Sequence, residues 1–175
     1  MKKLIIFGVF ILISNNFYAQ HNEFLLDTDK AGLFKLTMNL EYALEVCKSK
    51  YVVEKSFLSL EGDNYDVYNV KLDGQLLLKL EPDCESVCKI GRIWVYSDLY
   101  KTSKGIGIGS TLEEILENYS FKFLQTEGEG SVFLQINEND INFELDPVVF
   151  TNDWWENGAK FEDIPKETKV TMIIL

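Results

Sequence analysis

One histidine, three cysteines and three prolines are all that 175 residues hold of these residue types. The histidine, His21, lies two residues into the expected mature chain, where termini are usually mobile. Ser-His or Cys-His catalysis, or a histidine-bound metal, therefore has no base or ligand in the folded body. Three cysteines without a neighbouring histidine do not make a usual zinc set. Positive charge is also scarce, with 17 Lys and Arg against 28 Asp and Glu and a net charge of −11. That balance argues against nucleic acid, whose binding rests on Lys and Arg neutralising phosphates. What is abundant is the material of a core, 46% hydrophobic and 13% aromatic residues, as in an ordinary folded domain.

The chain opens with Lys2 and Lys3, an apolar stretch from Leu4 to Ile13, the polar Ser14-Asn15-Asn16 and then Ala19. This reads as a secretory signal peptide over 1–19, with cleavage leaving Gln20 first. The apolar stretch is too short to span a bilayer. No Cys stands at the junction to take a lipid, so the expected product is periplasmic or secreted, with no membrane insertion after signal cleavage.

A self-match at a shift of 72 residues dictates the expected architecture. Phe34 and Leu36 align with Ile106 and Ile108, and Leu40, Ala43, Leu44 and Cys47 with Leu112, Ile115, Leu116 and Tyr119. The latter sets follow the i, i+3, i+4, i+7 spacing of one helix face. The match continues as Lys50-Tyr51-Val52 against Lys122-Phe123-Leu124. At a shift of 65, Leu76, Leu78, Leu80, Glu81 and Pro82 align with Ile141, Phe143, Leu145, Asp146 and Pro147. These last segments alternate with period two after Asp73-Gly74 and Glu138-Asn139, as second arms of β-hairpins. The changed shift assigns seven extra residues to the first copy, around Glu61 to Asp66. Closing strands are expected at Ile90 to Tyr96 and Lys169 to Leu175. The expected fold class is α+β: two tandem strand-helix-three-strand repeats, 20–97 and 98–175, with helices packed on an antiparallel sheet of about eight strands, continuous or split.

The stretch Lys104-Gly105-Ile106-Gly107-Ile108-Gly109-Ser110-Thr111-Leu112-Glu113-Glu114-Ile115 carries Gly-x-x-x-Gly-Ser-Thr-x-x-Glu-Ile at a helix entry. It resembles the entry signature of small bacterial envelope modules, namely the small lipoproteins of outer-membrane β-barrel assembly and, in tandem use, β-lactamase inhibitory proteins. It is similar also to uncharacterised secreted proteins with a T-x-x-G-I-x-V-G-S-T stretch, here Thr102 to Thr111 with Ile108 in place of Val. The chain lacks the lipidated Cys of the first group and a clear second helix per repeat of the second. The resemblance implies a non-enzymatic, protein-binding envelope module.

Gly105, Gly107 and Gly109 precede helix amides that could hold an anion, but their spacing matches neither phosphate-binding fingerprint. A tight bend into the helix is expected instead, with Ser110 as cap and Glu113 as its capping-box partner. Cys84 and Cys88 lie in a loop of an exported chain, where a disulfide is favoured. Cys47 falls on the core face of the first helix as a buried thiol, with pairing to Cys84 or Cys88 as the alternative. Asp27 to Gly32 begins like a calcium loop, yet position twelve is Met38 rather than the bidentate Glu. Asp63-Asn64-Tyr65-Asp66 is a second acidic stretch of that kind.

The segment Val148 to Pro165 has no counterpart in the first copy and contains Trp154 and Trp155. Loops carry function disproportionately and Trp is enriched at binding hot spots. Trp154, Trp155, Tyr96 and Tyr100 are therefore the candidate protein-binding residues, against a competing role for each in core packing. The reading is a non-enzyme with no cofactor or metal that binds an unidentified protein. A basic partner suits the acidic surface, which makes inhibition of a basic hydrolase such as a lysozyme a fitting role. The alternatives are a hydrolase using two carboxylates between the repeats and a binder of small ligands.

Overall fold

Helix-face spacing and polar caps build two helices, α1 (Leu40–Cys47) and α2 (Leu112–Asn118). The computed structural model describes residues 23–60, 63–125, 131–138 and 140–175; the expected signal segment, His21, Glu61 and Asn139 lie outside them. In α1, Leu40, Ala43 and Cys47 are buried and Leu44 half-buried; around α2, Leu112, Ile115, Leu116 and Tyr119 repeat that order. Asn39 caps α1 by accepting the Tyr42 amide at 2.9 Å. The cap of α2 is Thr111, which corrects the expectation of Ser110. Both residues have a Glu three positions on, but Ser110 is held in the bend. Its Oγ accepts the Gly107 amide at 3.2 Å and its carbonyl accepts the Val170 amide at 2.8 Å. Thr111 is the first residue free to cap: its Oγ1 accepts the Glu114 amide at 3.2 Å, and its own amide donates to Glu114 Oε2 at 2.7 Å.

Four strands, not three, follow each helix. After α1 come β4 (Val52–Leu60), β5 (Asp63–Leu72), β6 (Gln75–Asp83) and β7 (Lys89–Val95). After α2 come β9 (Phe121–Gln125), β10 (Val132–Ile136), β11 (Asn142–Leu145) and β12 (Val170–Ile174). β4 and β5 are long and pair from Val52↔Lys71 to Leu60↔Asp63. A two-residue loop, Asp73 at φ 51° and Gly74 at φ 80°, turns β5 into β6, the left-handed geometry that Asp-Gly accommodates. The eight strands form one continuous sheet in the order β4-β5-β6-β7-β12-β11-β10-β9. Its two halves join through the antiparallel pairs Ile173↔Val95 and Ile174↔Trp94.

The strands expected to lead into the helices do not enter this sheet. β1 (Leu25–Asp27), β2 (Lys30–Ala31), β3 (Phe34–Lys35) and β8 (Lys101–Thr102) make a separate small sheet, ordered β3-β2-β1-β8, with β1 and β8 parallel. The linkage of each helix entry to its closing strand occurs twice in the same form. Leu40 N donates to Cys88 O and Thr37 N to Ile90 O, while Leu112 N donates to Thr168 O and Gly109 N to Val170 O. Thr37 and Gly109 both have positive φ.

Cross-strand pairing lines up one apolar row over all eight strands: Val53, Val70, Leu78, Val95, Ile173, Phe143, Leu134 and Phe123. Val70, Leu78, Val95, Ile173, Phe143 and Leu134 are fully buried and share one core with the inner faces of α1 and α2. Each such side chain contributes about 1.5–3 kcal/mol over an exposed one. Among the described residues, no helix is long and apolar enough to cross a membrane.

Candidate functional site

Because strand side chains alternate, the row beside the core row points to the opposite face of the sheet. It reads Glu54, Asn69, Lys79, Trp94, Ile174, Asn142, Gln135 and Lys122. In β7, Ile93 and Val95 are fully buried, so Trp94 and Tyr96 on either side of Val95 face away from the helices and stay half-buried. A half-buried Trp and Tyr side by side leave part of their aromatic area to water on this face, a composition found at recognition surfaces.

Polar neighbours hold this aromatic pair in place. Glu81 Oε2 accepts from Trp94 Nε1 at 3.0 Å and from Arg92 Nη1 at 3.2 Å, while the Arg92 guanidinium lies 5.5 Å from the Trp94 ring centroid. Lys79 Nζ lies 5.0 Å from the centroid of Tyr96. Burial, and secondarily the Glu144 carboxylate, push the Tyr96 phenol above its ordinary pKa, so it stays neutral. Between β4, β5, β6 and β7 the same face contains a cavity of about 80 Å³, walled by Phe57, Leu58, Val67, Trp94 and Tyr96, with Ser56, Asn69 and Lys79 as its polar members. Val67 is buried, and Asn69 Oδ1 is buried without a hydrogen-bond donor.

Of the four residues chosen from sequence, only Tyr96 lies at this site. Tyr100 is 1% exposed and stacks edge-on against Phe24 at 5.2 Å, which corrects its assignment as a contact residue. The segment carrying Trp154 and Trp155 forms a short helix, α3 (Asn152–Glu156). They pack edge-to-face at 4.7 Å, and Phe150 stacks on Trp154 at 4.7 Å and on Trp155 at 6.4 Å. Trp154 Nε1 donates to Lys160 O at 3.2 Å, and farther along the segment Phe161 meets Phe121 at 4.9 Å. Both tryptophans are half-buried and pack against the edge of the core.

Cys84 and Cys88 are joined by a disulfide, and Cys47 is a buried free thiol whose pKa burial raises. In the calcium-like stretches, Asp27 Oδ1 accepts the Thr28 amide at 2.8 Å, Asp29 pairs with Lys35 at 3.0 Å and Asp66 with Lys55 at 2.8 Å. Among the described residues no three His, Cys, Asp or Glu side chains gather as a metal-ligand group. Sequence reading missed Trp94, Lys79 and Asn69. The available signal was alternation through Ile93-Trp94-Val95-Tyr96, which marks Trp94 and Tyr96 as outward once Ile93 and Val95 are placed in the core.

No protein-family model and no curated protein sequence matches the chain. The fold is similar to that in the crystal structure of the uncharacterised protein YfeY from Escherichia coli. The TM-score is 0.61 at 16% sequence identity, covering 86% of this chain and 97% of that one.

Proposed function

We propose that the protein is an exported, non-enzymatic binding module made of two tandem copies of one unit, and that it holds a partner protein against the helix-free sheet face at Trp94 and Tyr96. The observation that carries this is the half-exposed Trp94 indole, fixed in orientation by Glu81 and set beside an apolar cavity and Tyr96. Such a preorganised aromatic anchor loses little freedom on binding.

Duplication is supported by the repeated burial order of α1 and α2, the paired linkages of Leu40 and Leu112, and the strand order that runs outward from β7 and β12 in both directions. Export is supported by the Lys2 to Ala19 pattern and by the Cys84–Cys88 disulfide, since disulfides persist mainly outside the reducing cytosol. The net charge of −11 favours a partner that is basic overall, because long-range charge governs encounter.

Affinity capture from envelope and secreted extracts tests the reading, with the chain lacking 1–19 beside its Trp94→Ala/Tyr96→Ala variant. The expected result is a protein retained by the unmutated chain and lost from a variant of unchanged circular dichroism. Equal retention by both, or no protein retained at micromolar concentration, overturns it.

A further inference from the structure

We propose that the cavity beside Trp94 receives a carboxylate carried on a short apolar stem. This deepens the binding reading above, since it concerns the same sheet face. Its volume of about 80 Å³ has room for several water-sized groups. An acidic side chain or a short-chain carboxylic acid fits such a space.

Chemistry narrows the guest further. Leu58, Val67, Trp94 and Tyr96 offer apolar contact to a stem, while Phe57 borders the cavity with its side chain alternating to the other face of β4. The charged member of the lining is Lys79, whose Nζ lies over the Tyr96 ring. Among the described residues no carboxylate lies within ion-pairing distance of it, a state it shares with seven other lysines, while seven Lys and Arg side chains are paired. A cationic guest would be repelled there, and a purely apolar one would bury Lys79 uncompensated.

Asn69 supplies the second polar contact. It sits directly opposite Lys79 in the β5–β6 register. Its Oδ1 is buried, so Nδ2 is the end of the amide left to the cavity, where it donates to a carboxylate oxygen while Lys79 donates to the same group, a charge-assisted pair of contacts.

The test is an NMR titration of the chain lacking 1–19 at constant ionic strength with butyrate, butyramide and butylamine, three stems differing in the head group. The Trp94 indole N–H is identified with Trp94→Phe. Butyrate is expected to shift the Trp94 indole and Asn69 amide signals saturably with a millimolar dissociation constant, the other two at least about tenfold more weakly. Lys79→Gln is expected to weaken butyrate about tenfold or more with the unfolding midpoint unchanged. Equal response to butyramide or butylamine, an unchanged Lys79→Gln response, or no saturable shift overturns the assignment. A short peptide with a central Glu, beside its Gln counterpart, distinguishes the source. Binding at least about tenfold tighter than butyrate assigns the carboxylate to a partner's side chain, and binding no tighter assigns it to a free acid. Butyrate binding without captured protein leaves the cavity standing and removes the partner; captured protein without butyrate binding does the reverse.

Discussion

Tyr51 donates its phenolic hydroxyl to Glu23 Oε1 at 2.7 Å, and Lys50 pairs with the same carboxylate oxygen. One acid thus ties the first described residue to the chain just ahead of β4.

This contact has two pH signatures. Hydrogen bonds from Lys50 and then Tyr51 hold the Glu23 carboxyl below its ordinary value of 4.5. Its stabilising effect is therefore present above pH 4.5 and lost as pH falls through the lower folded value. Burial first, then the bond to Glu23, pushes the Tyr51 phenol well above its ordinary value of 10.0, so folding is disfavoured as pH rises past 10.0. Tyr51→Phe should cost about 1 kcal/mol at neutral pH and flatten both limbs. Urea unfolding as a function of pH measures this, and an unchanged acid limb would refute it.

Gly107 lies against the chain at Tyr100. A Cβ placed there would stand 2.3 Å from Tyr100 O and 2.6 Å from Lys101 Cδ. Gly107→Ala should therefore cost about 2–3 kcal/mol through a forced backbone shift. Gly74→Ala has open space and only the penalty of its positive φ, about 1 kcal/mol. Thermal unfolding of the two variants should rank them in that order.

Trp154→Ala/Trp155→Ala should act on stability rather than on recognition. The two indoles and Phe150 pack on one another and on the core, so truncation should cost about 3 kcal/mol or more. A partner captured by the unmutated chain should still be retained at a temperature where the variant is folded. Loss of capture by a folded variant would move the recognition surface to this segment.

Reducing the Cys84–Cys88 bridge should be modest in cost, because it closes a loop of few residues. The loop-entropy relation puts the loss near 2 kcal/mol. Equal unfolding midpoints with and without reductant would refute a stabilising role.

The parts of this molecule that were legible in sequence are those governed by local periodicity. The two helix faces follow from 3.6-residue spacing, and Leu40, Ala43, Cys47, Leu112, Ile115 and Tyr119 are buried as that spacing requires. The Asp73-Gly74 turn follows from the backbone geometry its residues permit, and the Cys84–Cys88 bridge from their proximity in the chain. Past the helices the match at 72 slips: Phe123 opposes Leu134 as Val53 opposes Val70, two residues from the expected partner Tyr51. The intervening link differs in length between the two halves, which short apolar patterns do not reveal.

Sequence by itself determined the α+β composition, the helix faces, the hairpin turn and the poverty of catalytic groups, because each depends on residue type or on neighbours within one turn of chain. Only the tertiary structure decided that the sheet is continuous, that Tyr100 is buried in the core, that the Trp154–Trp155 pair packs half-buried against it, and that Trp94, Lys79 and Asn69 line one cavity. The continuity of the sheet depends on the joining of Val95 to Ile173 and of Trp94 to Ile174. Strand pairs so far apart in the chain are set by which apolar faces can be buried together, and no local pattern encodes that choice.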